Sequence, residues 1–379
     1  MRNIIVRLGF ALALAGTAVG AGAQTPGITD SEILIGHDVD LSGSIAVRMK
    51  TFIEAADAYI ERVNQAGGVY GRKIRLLRAD SNNKPERTKE NVKMLVEQKG
   101  VFALWAMSGT GNVAAALPYL SERGVPLIAS TSGADPFYLK KHAVLINVKA
   151  GYGDEIRRMV THLKSTYLSR IGIIYLDNGF GREVYKTAME AAQQSGMEVV
   201  AAAAHKEDMS DVTQAVEKVA KAAPAAVLML TLAGPAPKVM DAYFKTDTPA
   251  QMFALSIVAS DSLYKALGEK ARGTIVTQIV PFPWDRNIPL VREYQDVVKA
   301  KGVTDFSPTG MEGFLYAKAL VLGLQGAGRK PTREGLIQAF ENMRDVDIGG
   351  MKLAFAPNDH NGSDYVEITM IGRGGKLVR

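Results

Sequence analysis

Short apolar runs alternate with amphipathic segments of helical length along most of this chain. Strands that are buried on both faces are apolar along their whole length, and two parallel strands are commonly connected by a helix. The alternation runs from residue 33 to about residue 129 and begins again near Ala150. It predicts an α/β fold with two parallel sheets, one after the other along the chain.

The same alternation assigns individual elements. In the first half it predicts strands at 33–39, 73–79, 101–107 and 125–129 and helices at 50–64, 85–99 and 113–123. In the second half it predicts strands at 170–176, 197–204, 225–230, 251–255 and 273–280 and helices at 154–166, 182–195, 211–222 and 235–245. The remainder is predicted to form helices at 290–301, 309–325 and 332–343 and strands at 352–355 and 365–371.

The last three helices have no strands between them and follow a linker that contains Pro281, Pro283 and Pro289. Helices without a sheet of their own need an existing apolar surface to cover. We therefore expect them to complete the first domain, so that the chain crosses between the domains more than once.

Composition narrows the class of protein. A chain of 379 residues that is 47% hydrophobic and 22% charged is too long for one compact core. It contains no Cys, which excludes disulfides, thiolate metal sites, iron–sulfur clusters and Cys nucleophiles. The net charge of +6 is spread along the sequence instead of being clustered, so no nucleic-acid partner is predicted.

The N-terminus has the pattern of a secretory signal. Arg2 and Arg7 lie in a short basic start, residues 8–20 are apolar or small, and Ala21-Gly22-Ala23 fits a signal-peptidase site. We expect residues 1–23 to be removed near Ala23. Position 24 is Gln and not Cys, so a lipid anchor at the new N-terminus is not expected. Charged residues interrupt the later apolar stretches, and a soluble periplasmic protein is predicted.

A small polar loop follows the strand predicted at 101–107. Gly109-Thr110-Gly111 with Ala114 superficially matches a dinucleotide-binding fingerprint, but the loop is not the first strand–helix turn and no acidic residue ends a following strand. No nucleotide cofactor is predicted. A helix N-terminus with unpaired N–H groups favours an anionic group such as a carboxylate. The alternative is an ordinary strand-to-helix turn.

A polar loop also follows the strand predicted at 125–129, which is the neighbour of the strand at 101–107. Ligands of open α/β sheets lie at the carboxyl ends of the strands, so these loops are predicted to bind one. Phe180, in the loop after the strand at 170–176, could cover an apolar part of a ligand or could simply belong to the core. The other candidates at strand ends are Ser130, Thr131, Ser132, Gly133, Ala134, Ala233 and Ser256.

Signals for an enzyme or a metal site are weak. No G-x-S-x-G elbow surrounds Ser108, and no Ser has an evident base beside it. The five His residues are too far apart in sequence to form a local metal site. Residues 359–364 mimic part of a calcium loop, but a hairpin turn explains them better. We predict no metal, no cofactor and no catalysis, with an exported hydrolase as the alternative.

The sequence resembles the periplasmic solute-binding proteins of the leucine/isoleucine/valine-binding type, which feed ABC importers. The resemblance covers about residues 28–378. The resemblance rests on four segments: Ile33-Leu34-Ile35-Gly36 leading to Leu41-Ser42-Gly43, the run from Asn64 to Lys73, Val125-Pro126-Leu127-Ile128 with its Ser-Thr-Ser loop, and Phe180-Gly181 ahead of a helix. It implies two Rossmann-like parallel-sheet lobes joined by a three-segment hinge, which close on a ligand without turnover.

The resemblance also implies an organisation and partners. The N-terminal lobe would comprise residues 24–148 and about 281–355, and the C-terminal lobe 149–280 and about 363–379. The partners would be a small carboxylate or amino-acid ligand and a membrane permease, and the protein would be a monomer. A sensor domain that reports to a membrane partner would share the fold, but nothing in the sequence favours it.

Carried over position by position, the family's ligand loops fall on Ser108, Gly109 and Thr110, on residues 130–134 and on Phe180. Arg48 stands where relatives often have an aromatic, and is either a clamp for an anion or a solvated charge at a helix start. Amino-acid binders hold the α-ammonium with an acid, but residues 254–257 contain none and Asp261 comes a few residues later. A carboxylate without an ammonium, aromatic or aliphatic, is therefore the alternative to a branched-chain amino acid.

Overall fold

The computed structural model describes residues 25–379, and the signal peptide predicted for residues 1–23 lies outside these described residues. Fourteen strands are named in chain order. They are β1 (Glu32–Val39), β2 (Lys73–Asp80), β3 (Ala103–Trp105), β4 (Leu127–Ile128), β5 (Leu145–Ile146), β6 (Arg170–Leu176), β7 (Glu198–His205), β8 (Ala226–Leu230), β9 (Gln251–Ala254), β10 (Ile275–Gln278), β11 (Val346–Asp347), β12 (Lys352–Leu353), β13 (Glu367–Ile371) and β14 (Leu377–Val378).

Helices flank the sheets. They are α1 (Ala46–Gln65), α2 (Pro85–Lys93), α3 (Thr110–Glu122), α4 (Tyr152–Ser165), α5 (Gly179–Gln194), α6 (Val212–Ala220), α7 (Ala236–Phe244), α8 (Ser260–Leu267), α9 (Pro289–Lys299), α10 (Pro308–Gly326) and α11 (Arg333–Glu341). Within residues 25–379 no helix is both long enough and apolar enough to cross a membrane.

The first lobe is built on a five-stranded parallel sheet with the spatial order β2-β1-β3-β4-β5. β3 and β4, at the centre of this sheet, are fully buried, and all of their residues are apolar. α10 packs along α1, and aromatic side chains join the two helices. The rings of Phe52 and Tyr316 meet edge to face with their centroids 5.2 Å apart, and those of Tyr59 and Phe314 with centroids 5.0 Å apart. Segments far apart in the sequence therefore share one core.

The second lobe is built on a seven-stranded sheet with the order β14-β13-β10-β9-β8-β6-β7. The strands from β10 to β7 are parallel, whereas β13 runs antiparallel to β10 and β14 antiparallel to β13. The helices from α4 to α8 belong to this lobe. The C-terminal strands therefore extend the second sheet, although the helices before them pack on the first lobe.

The chain crosses between the lobes three times: between β5 and α4, between β10 and α9, and between β12 and β13. The first and third crossings run side by side. The Asn147 N–H donates to the carbonyl of His360 at 2.9 Å, and the Gly362 N–H donates to the carbonyl of Asn147 at 2.8 Å. The fold predicted from the sequence is confirmed, while the lobe boundaries predicted above stay predictions.

Some predicted elements differ in extent. The strand predicted at 101–107 pairs only over β3, although its whole length is buried. The helix predicted at 85–99 is α2 followed by a wider turn of π-helix at Met94–Gln98. The strand predicted at 352–355 pairs only as β12, and with β11 instead of with a large sheet. β5 and α8 were not predicted, because two paired residues and eight helical residues are too short to show a period.

Candidate functional site

A cavity of about 90 Å³ lies between the two lobes, where both sheets end in polar loops. The first lobe lines it with Ile45, Asn83, Pro85, Gly109, Thr110, Gly111 and Thr131. The second lobe lines it with Tyr152, Asn178, Gly179, Phe180, Glu207, Leu232 and Ile257. A larger groove of about 480 Å³ lies between α6 and α7, away from these loops, so the interlobe cavity is the candidate site.

The N-terminus of α3 forms the polar wall of this cavity. Gly109 precedes the helix with φ = 90°, a left-handed conformation that glycine adopts without strain, and no side chain caps the first turn. The first N–H groups of a helix have no partner within the helix and lie at the positive end of its dipole. The loop therefore offers N–H donors beside the hydroxyl group of Thr110, an arrangement suited to a carboxylate.

The loop after β4 supports this wall. Thr131 lines the cavity, and its N–H donates to the carbonyl of Met107 at 2.9 Å. The hydroxyl groups of Thr110 and Ser132 share a hydrogen bond of 2.9 Å, which joins the two loops. Tyr316 donates from α10 to the carbonyl of Ser130 at 3.1 Å. These hydrogen bonds hold the loop in place, and Thr131 is the residue of the loop that lines the cavity.

The opposite wall is largely apolar. Phe180, Leu232 and Ile257 line it from the second lobe, and Ile45 faces them from the first. Phe180 lies in the first turn of α5, where the Asn178 side chain caps the helix by accepting from the Gly181 N–H at 3.0 Å. The cavity therefore combines the hydrogen-bond donors of the first lobe with apolar side chains from both lobes, beside the polar side chains of Asn178 and Glu207.

The predicted site residues divide into two groups. Gly109, Thr110, Thr131 and Phe180 line the cavity. The others do not line it: Arg48, Ser108, Ser130, Ser132, Gly133, Ala134 and Ala233 are buried around the cleft, and Ser256 is half-buried there. Ser108, for example, accepts the Asp40 N–H at 2.8 Å and so fixes the start of the loop after β1. Contact of the first group with a ligand stays a prediction.

Arg48 is not a solvated charge at a helix start. Its side chain is 2% exposed and forms an ion pair with Glu312 of α10, which is equally buried. Burial opposes the charge of Arg48, but the Glu312 carboxylate together with Tyr152 and Tyr316 more than offsets it, so the pKa of Arg48 is raised. The Nε of Arg48 and the Oε1 of Glu312 have no hydrogen-bond partner. Arg48 thus pairs with Glu312 and does not line the cavity, and its role as a clamp for a ligand anion stays a prediction.

An acidic side chain that the sequence did not reveal lies beside Ser256. Glu155 of α4 accepts hydrogen bonds from the Ser256 N–H at 2.8 Å and from the Ser256 hydroxyl at 2.9 Å, and Thr277 also donates to it. Burial raises the pKa of Glu155, while Lys149 and these donors act in the opposite direction. Glu155 does not line the cavity. It therefore organises the second lobe instead of offering a free carboxylate to a ligand.

Asp261 and Glu207 are the other acids of interest. Asp261 begins α8 but does not line the cavity, and burial raises its pKa. Glu207 lies at the exposed rim, lines the cavity and accepts from the Asn178 side chain at 2.6 Å. The rule that ligands lie at strand ends would have found Glu207 after β7 and Asn83 after β2. No such signal points to Ile45 or Tyr152.

The lobes are closed upon each other. The Gly234 N–H of the second lobe donates to the carbonyl of Ser44 in the first at 3.0 Å. The hydroxyl group of Thr187 donates to the carboxylate of Asp135 at 2.8 Å, which joins α5 to the loop after β4. The rim of the cleft is therefore bridged by direct contacts between the lobes.

Asp38, at the end of β1, ties this strand to α2 behind the site. Thr88 and Asn91 each donate to its carboxylate at 2.7 Å. Burial raises the pKa of Asp38 from 3.8 to about 6, although these two hydrogen bonds lower it. The folded chain therefore binds a proton at Asp38 at a pH at which the unfolded chain has lost it.

This difference predicts a pH dependence of stability. Between about pH 4 and about pH 6 the folded state binds more protons at Asp38, so its contribution to the free energy of unfolding falls as the pH rises. We expect the free energy of unfolding of Asp38→Asn to change less with pH in this range, as measured by urea unfolding from pH 4 to pH 7. Asp30→Asn, at an exposed site of the same lobe, is the control. An unchanged slope in Asp38→Asn would contradict the prediction.

The chain is similar to known proteins over nearly its whole described length. A family model described as periplasmic binding protein matches residues 32–376. The Leu/Ile/Val-binding protein homolog 8 of Brucella suis is 25% identical over 194 residues, which cover 49% of this chain and 47% of that protein. The match thus spans about half the length of this curated relative.

Solved structures share the fold. A substrate-binding periplasmic protein from Ralstonia solanacearum superposes with a TM-score of 0.85 at 30% identity, covering 92% of this chain and 99% of that one. A branched chain amino acid ABC transporter protein from Thermus thermophilus, with bound valine, has a TM-score of 0.82 at 15% identity, covering 93% of this chain and 96% of that one. With the interlobe cavity and the family match, these findings show that the chain belongs to the periplasmic binding protein family, of the leucine/isoleucine/valine-binding type.

Proposed function

We propose that this protein is the periplasmic solute-binding component of an ABC importer and that it encloses a small carboxylate between its lobes without turnover. Its export would follow cleavage of the signal peptide near Ala23, and it would deliver the solute as a monomer to a membrane permease. Family membership supports the transport role, and the geometry of the cavity supports the carboxylate.

One observation carries the choice of ligand. The uncapped N-terminus of α3, Thr110 and Thr131 line the same cavity as the apolar side chains of Ile45, Phe180, Leu232 and Ile257. A carboxylate suits the first surface, and a hydrocarbon group suits the second. The enclosed space of about 90 Å³ is small, so it favours a short solute, and the lobes would stand further apart around a solute of six carbons.

The cavity offers little to an ammonium group. Among the described residues, Glu207 is the acid that lines it, and this carboxylate already accepts from Asn178 at the exposed rim. Glu155 is bonded to Ser256 and Thr277. An ammonium enclosed without a carboxylate costs several kcal/mol. We therefore favour a carboxylate without an ammonium over a branched-chain amino acid.

A matched pair of ligands tests this preference. Leucine and 4-methylpentanoate differ only in the α-amino group, and isothermal titration calorimetry would compare their affinities. We expect tighter binding of 4-methylpentanoate. Tighter binding of leucine that is lost in Glu207→Gln would instead assign the ammonium to Glu207. Hydrolysis of ethyl 4-methylpentanoate to the free acid and ethanol on incubation would favour the alternative, an exported hydrolase.

The role of Thr110 gives a separate prediction. Thr110→Val removes the hydroxyl group with little change in volume, and a hydrogen bond to a charged group contributes about 1.5–3 kcal/mol. We expect carboxylate affinity to fall by about 10- to 100-fold in calorimetric titration. Thr110→Ser keeps the hydroxyl group and is the matched control, for which affinity should stay within a few-fold of the original. Equal affinity in both variants would contradict a carboxylate at α3.

A further inference from the structure

Tyr152 occupies the inner end of the cavity, where the chain enters α4 directly after the first crossing between the lobes. Its side chain is buried, and its N–H donates to the carbonyl of Gly133 at 2.6 Å. The ring meets Phe180 edge to face, with the two ring centroids 5.3 Å apart. Tyr152 is therefore fixed by contacts to the ligand loop of one lobe and to the aromatic wall of the other.

A cluster of buried charges lies behind this ring. The Nζ of Lys149 lies 4.8 Å from the centroid of the Tyr152 ring. The Arg48–Glu312 ion pair and Glu155 act electrostatically on the Tyr152 hydroxyl group, whose pKa burial raises in the first place. None of these four charged side chains lines the cavity. Lys149 is the member of this cluster that contacts the ring directly, so the ring lies between the cavity and the Lys149 ammonium group.

The cluster is not fully satisfied. The Nε of Arg48 is a buried donor without a partner, and the Oε1 of Glu312 is a buried acceptor without a partner. Both side chains are 2% exposed. Buried polar atoms of this kind gain free energy from any group that can bond to them. Closer to the ring, the Lys149 Nζ donates to the carbonyl of Ala150 at 3.0 Å, and an ammonium group has three donors, so a hydroxyl group could accept from another of them.

We propose that Tyr152 is the specificity-determining residue of the cleft: its ring limits the length of the solute and keeps a polar end of a longer solute away from the buried Lys149 ammonium group. The inference rests on the proposed function, since it concerns the same cavity. The original chain should accept short carboxylates with an apolar end. Without the ring, the same cleft should accept longer carboxylates with a terminal hydroxyl group.

Three carboxylates and two substitutions test the proposal. The probes are 4-methylpentanoate, hexanoate and 6-hydroxyhexanoate, titrated calorimetrically into the original chain, Tyr152→Ala and Tyr152→Phe. We expect the original chain to prefer 4-methylpentanoate. In Tyr152→Ala we expect 4-methylpentanoate to bind about 10-fold more weakly, because apolar contact is lost, and 6-hydroxyhexanoate to bind at least 10-fold more tightly than hexanoate. Tyr152→Phe keeps the ring and should keep the original preference.

The outcomes distinguish the two proposals. If the original chain binds 4-methylpentanoate but Tyr152→Ala has the same order of preference among the probes, the role of Tyr152 is wrong and the proposed function stands. If no variant binds any probe, the carboxylate assignment and this inference both fail. Tyr152→Leu keeps bulk in the core and replaces Tyr152→Ala if the latter does not fold, as judged by circular dichroism.

Discussion

Gly234→Ala is expected to prevent closure of the lobes while leaving each lobe folded. A Cβ atom at this position would lie 2.6 Å from the carbonyl oxygen of Ser44, across the cleft. The obstacle is a backbone atom of the other lobe, so no change of rotamer relieves it. Overpacking of this kind costs about 1–3 kcal/mol. Because the cost arises only in the closed form, we expect solute affinity to fall by about 5- to 150-fold.

Two measurements check this prediction. Small-angle X-ray scattering should show that the original chain becomes more compact with 4-methylpentanoate and that Gly234→Ala does not. Thermal unfolding without solute should be unchanged. Gly179→Ala is the matched control, because Gly179 also lies at the cleft but has no atom within 4 Å of an added Cβ. Normal compaction of Gly234→Ala would show that the contact with Ser44 does not limit closure.

Arg48→Met is expected to have the largest effect on stability. It leaves the Glu312 carboxylate buried at 2% exposure with no counter-charge, and breaking a buried ion pair from one side costs about 3–5 kcal/mol. Replacing both partners, as Arg48→Met with Glu312→Leu, should recover most of this loss, since neither charge of the pair remains. Urea unfolding measures all three chains.

An exposed ion pair provides the control. Lys352 and Asp345 approach to 3.0 Å with both side chains about two-thirds exposed. Lys352→Met should change the free energy of unfolding by less than about 1 kcal/mol, because water screens such pairs. If Arg48→Met costs no more than Lys352→Met, the buried pair does not stabilise the first lobe.

The sequence predicts the fold well because the alternation of apolar runs and amphipathic segments is local. The same holds for part of the site: Thr110, Thr131 and Phe180 were predicted from their places after strands, and all three line the cavity. Asn83 and Glu207 obey the same rule and could have been chosen. Their loops lack the Gly and hydroxyl pattern that identified the others.

The remaining features depend on pairings that leave no local signal. Arg48 and Glu312 are 264 residues apart, and Glu155 and Ser256 are 101 residues apart. The local sequence around a lone Arg near the start of a helix does not show whether its side chain faces water, a ligand or a distant acid. Tyr152 lies at the start of a helix after a crossing, where its position in the cleft depends on how both lobes meet. Only the assembled structure reveals these contacts.

The dependence of α1 on α10 has a consequence for the newly made chain. Phe52 and Tyr59 cover their apolar faces with Tyr316 and Phe314, which the ribosome adds more than two hundred residues later. At about 5–20 residues per second, that interval lasts on the order of 10–50 s. During this interval the apolar face of α1 on which α10 packs has no native partner. A nascent polypeptide of this kind stays available to a holding chaperone and to a translocation pore, and completes its first lobe only after nearly all of it has been synthesised.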